Sequence, residues 1–192
     1  MKKLSPAFAA AALIALTIGG YSQAAIVDFT GRPTGNTGSA SIVEDGVTFA
    51  ATGGTVFVFA PGASGFFSNG GVCALAPAFN CQRDLTVTFA GLITNLSFLG
   101  RGWDAGDFIS VRAFNGATAV GGPINIASDG SFSFGALSLT SLFFDDSSTG
   151  AGMAFGNFSW DRATTTVPEP GTLALLGLGL AGLGFARRKR SN

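Results

Sequence analysis

The chain has 192 residues, 47% of them apolar, with 29 Gly, 7 Pro, 19 Phe, no His and a formal net charge of zero. That length holds one ordinary domain with terminal signals, and the apolar content is too high for a disordered chain; without His, the Ser/His/Asp and Cys/His triads and His-ligated metals are excluded. Lys2, Lys3, Arg187, Arg188, Lys189 and Arg190 sit near the ends, so residues 25–167 hold five Arg, no Lys and ten carboxylates, a net charge of −5 that argues against nucleic acid as a partner.

Residues 1–24 open with Lys2 and Lys3, continue as an apolar run from Ala7 to Ile18, and end on Ser22-Gln23-Ala24. This is the three-part pattern of a secretory signal peptide, with cleavage by signal peptidase expected after Ala24 and Ala25 as the competing position. A retained anchor is the alternative, but roughly 12 apolar residues make about 18 Å of helix against a hydrocarbon core of about 30 Å.

Between Ala25 and Val167 no ten-residue stretch places apolar residues at helical spacing. Short runs alternate with period two between Gly, Asn, Asp and Ser clusters, which is the pattern of antiparallel strands with one buried face. Strands are expected at Ile26–Phe29, Val47–Ala51, Thr55–Ala60, Leu85–Phe89, Asn95–Leu99, Ile109–Ala113, Ser131–Phe134, Ser141–Asp145 and Phe155–Trp160. That number of strands, with 17 of the 19 Phe in the same body, predicts an all-β, antiparallel β-sandwich over residues 25–166.

Between those strands lie the residues that could carry chemistry. Cys73 and Cys81 fall in what reads as a Pro-containing loop, Gly71–Cys81. In an exported chain with two cysteines a disulfide is the simplest assignment; a nucleophilic thiolate would need a base, and His is absent. Trp103-Asp104-Ala-Gly-Asp107 places an aromatic and two acids in a turn, and Asp145-Asp146 begins a second turn rich in Ser and Gly. Such acids form turns through their own backbone hydrogen bonds, and they are also the usual oxygen ligands of Ca²⁺. The turn reading is preferred at both pairs, Asp104 with Asp107 and Asp145 with Asp146, so no cofactor is expected. Trp103 is read first as a core side chain and alternatively as an exposed ring on which a sugar stacks. No specific pair of carboxylates is brought together as a glycosidase requires, so the chain is not read as an enzyme.

The last segment runs Val167-Pro168-Glu169-Pro170, then 16 uncharged residues from Gly171 to Ala186, then Arg187-Arg188-Lys189-Arg190. As a helix those 16 residues span about 24 Å, so crossing a membrane is marginal, and the basic cluster prefers the cytoplasmic side with the body outside. The prolines confine the helix start to about Gly171.

Pro168-Glu169-Pro170, the Leu/Gly run from Leu173 to Phe185 and the terminal Arg187–Arg190 cluster together resemble the PEP-CTERM sorting signal, here residues 167–192. The resemblance implies export in a Gram-negative bacterium, recognition and removal of the tail by an exosortase-type enzyme, and delivery to the cell surface or an exopolysaccharide-containing matrix. More loosely, Leu85–Phe89, Asn95–Phe98, Ile109–Phe114, Leu139–Asp145 and Phe158–Trp160 resemble jelly-roll domains of the galactose-binding kind, which implies polysaccharide adhesion rather than catalysis. The function expected is structural or adhesive at the envelope or in the matrix, with a carbohydrate-binding module for a defined sugar as the alternative.

Overall fold

A computed structural model of the protein describes residues 24–162 and, by itself, position 177. The expected signal peptide (1–24, apart from Ala24), the sorting motif Val167–Pro170, the helix near 171–186 (apart from position 177) and the basic residues 187–190 lie outside the described residues. Among the described residues no helix is long and apolar enough to cross a membrane.

Twelve strands are present among the described residues: β1 Ala24–Ile26, β2 Gly35–Asn36, β3 Ser41–Glu44, β4 Val47–Ala51, β5 Thr55–Phe59, β6 Gly71–Leu75, β7 Leu85–Arg101, β8 Ile109–Asn115, β9 Thr118–Ile126, β10 Gly130–Gly135, β11 Leu139–Asp146 and β12 Ala154–Arg162. All named strands pair antiparallel, in two layers joined by β7. One layer runs β3-β4-β7-β11-β8-β9 through the first half of β7, and the other runs β2-β5-β6-β12-β7-β10 through its second half, with β1 also on β12.

The sequence suggested two strands, Leu85–Phe89 and Asn95–Leu99, where a single strand of 17 residues runs through both. Its alternation breaks in the middle: Leu85, Val87, Phe89 and Ile93 face the core, then Leu96 and Phe98 do. The change of phase falls at Asn95, held at φ 52°, with its amide donating to Asp161 Oδ2 at 2.8 Å. One residue in the left-handed region turns the strand over, so its second half can leave one layer and enter the other.

The layers meet in a phenylalanine core. Phe49 of β4 lies 5.6 Å from Phe158 of β12, and Phe144 of β11 lies 5.4 Å from Phe98 of β7 and 4.3 Å from Phe155 of β12. Each pair joins opposite layers, and burying one such ring contributes about 2–3 kcal/mol. A smaller cluster covers the outer side of the second layer, where Phe67, Cys73, Leu75 and Ala154 are buried with Phe57, Phe59, Cys81 and Leu99 against them. Strand β6 therefore lies between two apolar surfaces. Val72 and Ala74 face the main core and Cys73 and Leu75 the smaller one. This corrects the loop expected at Gly71–Cys81, because a strand buried on both faces shows no alternation.

Strands β3 and β9 are further departures from the sequence reading. Gly121-Gly122-Pro123 inside β9 looks like loop material, but it sits at the free edge of its layer, where Pro is tolerated.

Candidate functional site

Of the residues singled out in the sequence, Cys81, Trp103, Asp104, Asp107 and Asp146 lie where segments 76–84, 102–108 and 146–153 meet. Backbone bonds stitch them: the Cys81 N–H donates to Ala151 O (2.8 Å), Thr149 N–H to Gly106 O (3.1 Å) and Ser147 N–H to Phe108 O (3.1 Å). Gln82 Nε2 donates to the Gly150 carbonyl and, at 3.4 Å, to that of Ser148. The joint is tightest at Gly152, which is buried, adopts φ 78° and lies against Cys81, so that a Cβ there would sit 1.9 Å from the Cys81 carbonyl oxygen.

Cys73 and Cys81 form a disulfide with Cα atoms 5.5 Å apart. It ties segment 76–84, through Cys81, to Cys73 of strand β6, so the 76–80 turn is fixed at both ends.

Asp107 is the centre of the cluster and is 4% exposed. Its Oδ2 accepts the Asp104 N–H at 2.9 Å and its Oδ1 accepts the Gly152 N–H at 3.3 Å, while its own N–H donates back to Asp104 O at 3.0 Å. A buried carboxylate needs such donors, and here they come from the backbone of two loops. Asp104 is exposed and contributes backbone to the turn rather than its carboxylate. Asp145 is also exposed, on the opposite side of β11 from Asp146. The two sequence pairs are thus each split between exposed and shielded positions.

The acids that do face one another come from different segments. Burial raises the Asp146 carboxyl above its ordinary 3.8, the charges of Asp107 and Asp84 raise it further, and hydrogen bonds from Ser148 work against both. Asp146 Oδ1 accepts the Ser148 N–H at 2.8 Å, and the Asp146 N–H donates to Asp84 Oδ1 at 3.1 Å. Asp107 and Asp146 therefore act on the loops as turn formers. Among the described residues no group of three or more Cys, Asp or Glu side chains is arranged to hold a metal ion.

Trp103 is 42% exposed, which corrects the expectation that it packs in the core; Trp160 does so, at 6%. The reason lies in the turn. The Trp103 N–H donates to Asp129 Oδ1 (2.9 Å) and its indole Nε1 to Asp107 O (3.2 Å), so one ring edge is tied down while the rest meets solvent. Phe108, 43% exposed, and Phe79, 75% exposed, are further outward rings on these segments that the sequence reading did not single out. Phe108 falls on the outward phase just before β8 and Phe79 follows Pro77 inside the Cys loop, so neither stands on the inward face that the alternation marks.

The geometry defines a disulfide-bonded all-β sandwich with an aromatic and acidic cluster of loops. Outside it, residues 166–190 match the PEP-CTERM protein-sorting motif. That motif implies a protein exported to the cell envelope and processed by an exosortase. No curated protein matches the chain by sequence. Among solved structures, the chain is similar to family 29 carbohydrate-binding modules. One matches with TM-score 0.42 and 10% identity over 73% of this chain and 92% of that one. A second gives TM-score 0.40 and 10% identity over 73% and 88%. A third, complexed with mannohexaose, gives TM-score 0.36 and 12% identity over 73% and 92%. Likeness of this degree carries no ligand and no binding residue across.

Proposed function

We propose that the protein is a structural or adhesive component of the cell surface or extracellular matrix, associated with exopolysaccharide and delivered there by exosortase-type sorting. The observation that carries this reading is the match of residues 166–190 to the sorting motif, in which Pro168-Glu169-Pro170 would be the recognised tripeptide and Arg187–Arg190 the stop. In this reading signal peptidase removes residues 1–24, the helix near 171–186 holds the chain in the membrane with the body outside, and processing frees it. The jelly-roll-like body of residues 25–166 then serves as a stable adhesive unit and performs no reaction. Its disulfide suits an oxidising exterior. Replacing Pro168, Glu169 and Pro170 together by Ala tests the proposal: the protein should accumulate in the membrane fraction and disappear from the surface. Unchanged surface delivery would defeat it.

A second reading is favoured by the exposure of Trp103: a carbohydrate-binding module with a specific sugar, in which that ring is the platform. Retention of the wild-type chain, but not of Trp103→Ala, on one polysaccharide would select it.

A further inference from the structure

The loop closed by the disulfide holds one aromatic ring outward at a conformational disadvantage. Cys73 and Cys81 are 8 residues apart, and inside their covalent ring the Ala76 N–H donates to Asn80 O (2.7 Å) and the Phe79 N–H to Ala76 O (2.9 Å). A tight turn is thus nested in a cross-linked one. At its tip Phe79 adopts φ 62° and is 75% exposed. Neither fact is favoured locally. The left-handed region is unusual for any bulky side chain, and Asn, which tolerates it readily, stands at the next position, 80, without adopting it. A benzyl group in water also gives up the free energy of burial. Backbone strain of this kind persists only where surrounding structure enforces it, and it concentrates at binding sites.

Beside Phe79 runs an open groove of about 180 Å³, which Asn36, Thr55, Leu75 and Pro77 help to line and no charged side chain lines. Asn36 accepts the Gly38 N–H at 2.9 Å through Oδ1, which leaves its amide nitrogen as a donor. The groove thus offers a ring face, an apolar wall, an amide and a hydroxyl, all neutral.

We propose that Phe79 and this groove form a binding site for a neutral saccharide, with Phe79 stacking on the C–H face of a pyranose ring and Asn36 and Thr55 bonding its hydroxyls. This deepens the polysaccharide association proposed above and rests on it. A pyranose has one apolar face and a polar rim, which is the combination the groove presents, and the absence of charge selects against uronates and phosphates. A protein partner fits less well, since a stable interface needs roughly 800 Å² on each side and the groove is a local one of about 180 Å³. The cross-linked loop fixes the ring before binding, so little freedom is lost when the ligand arrives.

The test uses the full chain in detergent with soluble cello-, manno- and xylohexaose as probes, titrated against wild type, Phe79→Ala, Phe79→Trp, Phe79→Gly and Trp103→Ala. We expect wild type to bind at least one hexasaccharide, Phe79→Ala to weaken it at least tenfold and Phe79→Trp to retain it. Phe79→Gly should lose binding while melting at the same or a higher temperature, because Gly relieves the positive φ; a ring needed only for packing would lower the melting temperature instead. Wild type that binds none of the probes overturns the proposal, as does equal binding by Phe79→Ala or loss confined to Trp103→Ala. Surface delivery of the Phe79→Ala protein, followed by cell fractionation, separates this result from failure of the sorting reading, which would show as wild type absent from the surface.

Discussion

Replacing Gly152 by Ala probes the joint on which the loop cluster depends. Three penalties add there. A Cβ at φ 78° brings the left-handed cost of about 1–2 kcal/mol. The same atom would lie 1.9 Å from the Cys81 carbonyl oxygen, a backbone atom that cannot swing away, so the chain must shift at a cost of about 1–3 kcal/mol. That shift draws the Gly152 N–H from Asp107 Oδ1, now 3.3 Å away, and a hydrogen bond to a buried charged group is worth about 1.5–3 kcal/mol. Together these give about 3.5–8 kcal/mol, or a fall of about 10–30 °C in Tm for a body of this size. The control is Gly116→Ala. Gly116 also has a positive φ, 58°, but nothing lies within 4 Å of its added Cβ, so only the conformational cost of about 1–2 kcal/mol applies. Thermal melts of both full-length variants, followed by near-ultraviolet circular dichroism, make the comparison. If the two melt together, Gly152 is not the tight contact described and the joint does not organise the loops.

Other expectations follow from the same loops. Asp146 has a raised carboxyl in the folded state, so its ionised form opposes folding at neutral pH, and stability falls as pH rises through the window that begins near the ordinary 3.8. Asp146→Asn should therefore melt higher than wild type at pH 7, with the gain fading as pH falls towards 4; a gain independent of pH would contradict it, and millimolar Ca²⁺ should leave the wild-type melt unchanged, a rise of several degrees abolished by Asp146→Asn revealing a bound ion. Acrylamide should quench the emission of Trp103 readily and that of Trp160 hardly at all, so Trp103→Phe should remove the quenchable component; uniform quenching would show that the two rings are equally exposed. Alkylation without reductant should label neither Cys73 nor Cys81 in native protein, and reduction should lower stability by about 2–3 kcal/mol for so short a loop; labelling of both thiols before reduction would exclude the bond.

What the sequence disclosed depended on whether a strand has one dry face or two. Val47–Ala51 was readable to the residue because Val47, Phe49 and Ala51 turn inward and Thr48 outward. Gly71–Leu75 was unreadable as a strand because both faces are buried and the period-two signal vanishes. The unity of β7 was hidden at Asn95, where one left-handed residue shifts the phase of the pattern. In the loops, Asp107 and Asp146 were marked as acids of interest, but their proximity depends on β7, β8, β11 and β12 delivering three segments to one place, which no local spacing encodes. Trp103 looked like a core residue by composition, and only the bonds to Asp107 and Asp129 show why it stays outside. The disulfide was readable because two cysteines in an exported chain leave one pairing.

The sorting of this protein to the surface is tested most directly by intact-mass measurement on protein recovered from the cell surface or matrix. Processing within the motif at residues 166–190 requires a mature chain that lacks Arg187, Arg188, Lys189 and Arg190. A mass corresponding to a chain that still ends on Asn192 would contradict exosortase-type processing and leave a tail-anchored membrane protein in its place.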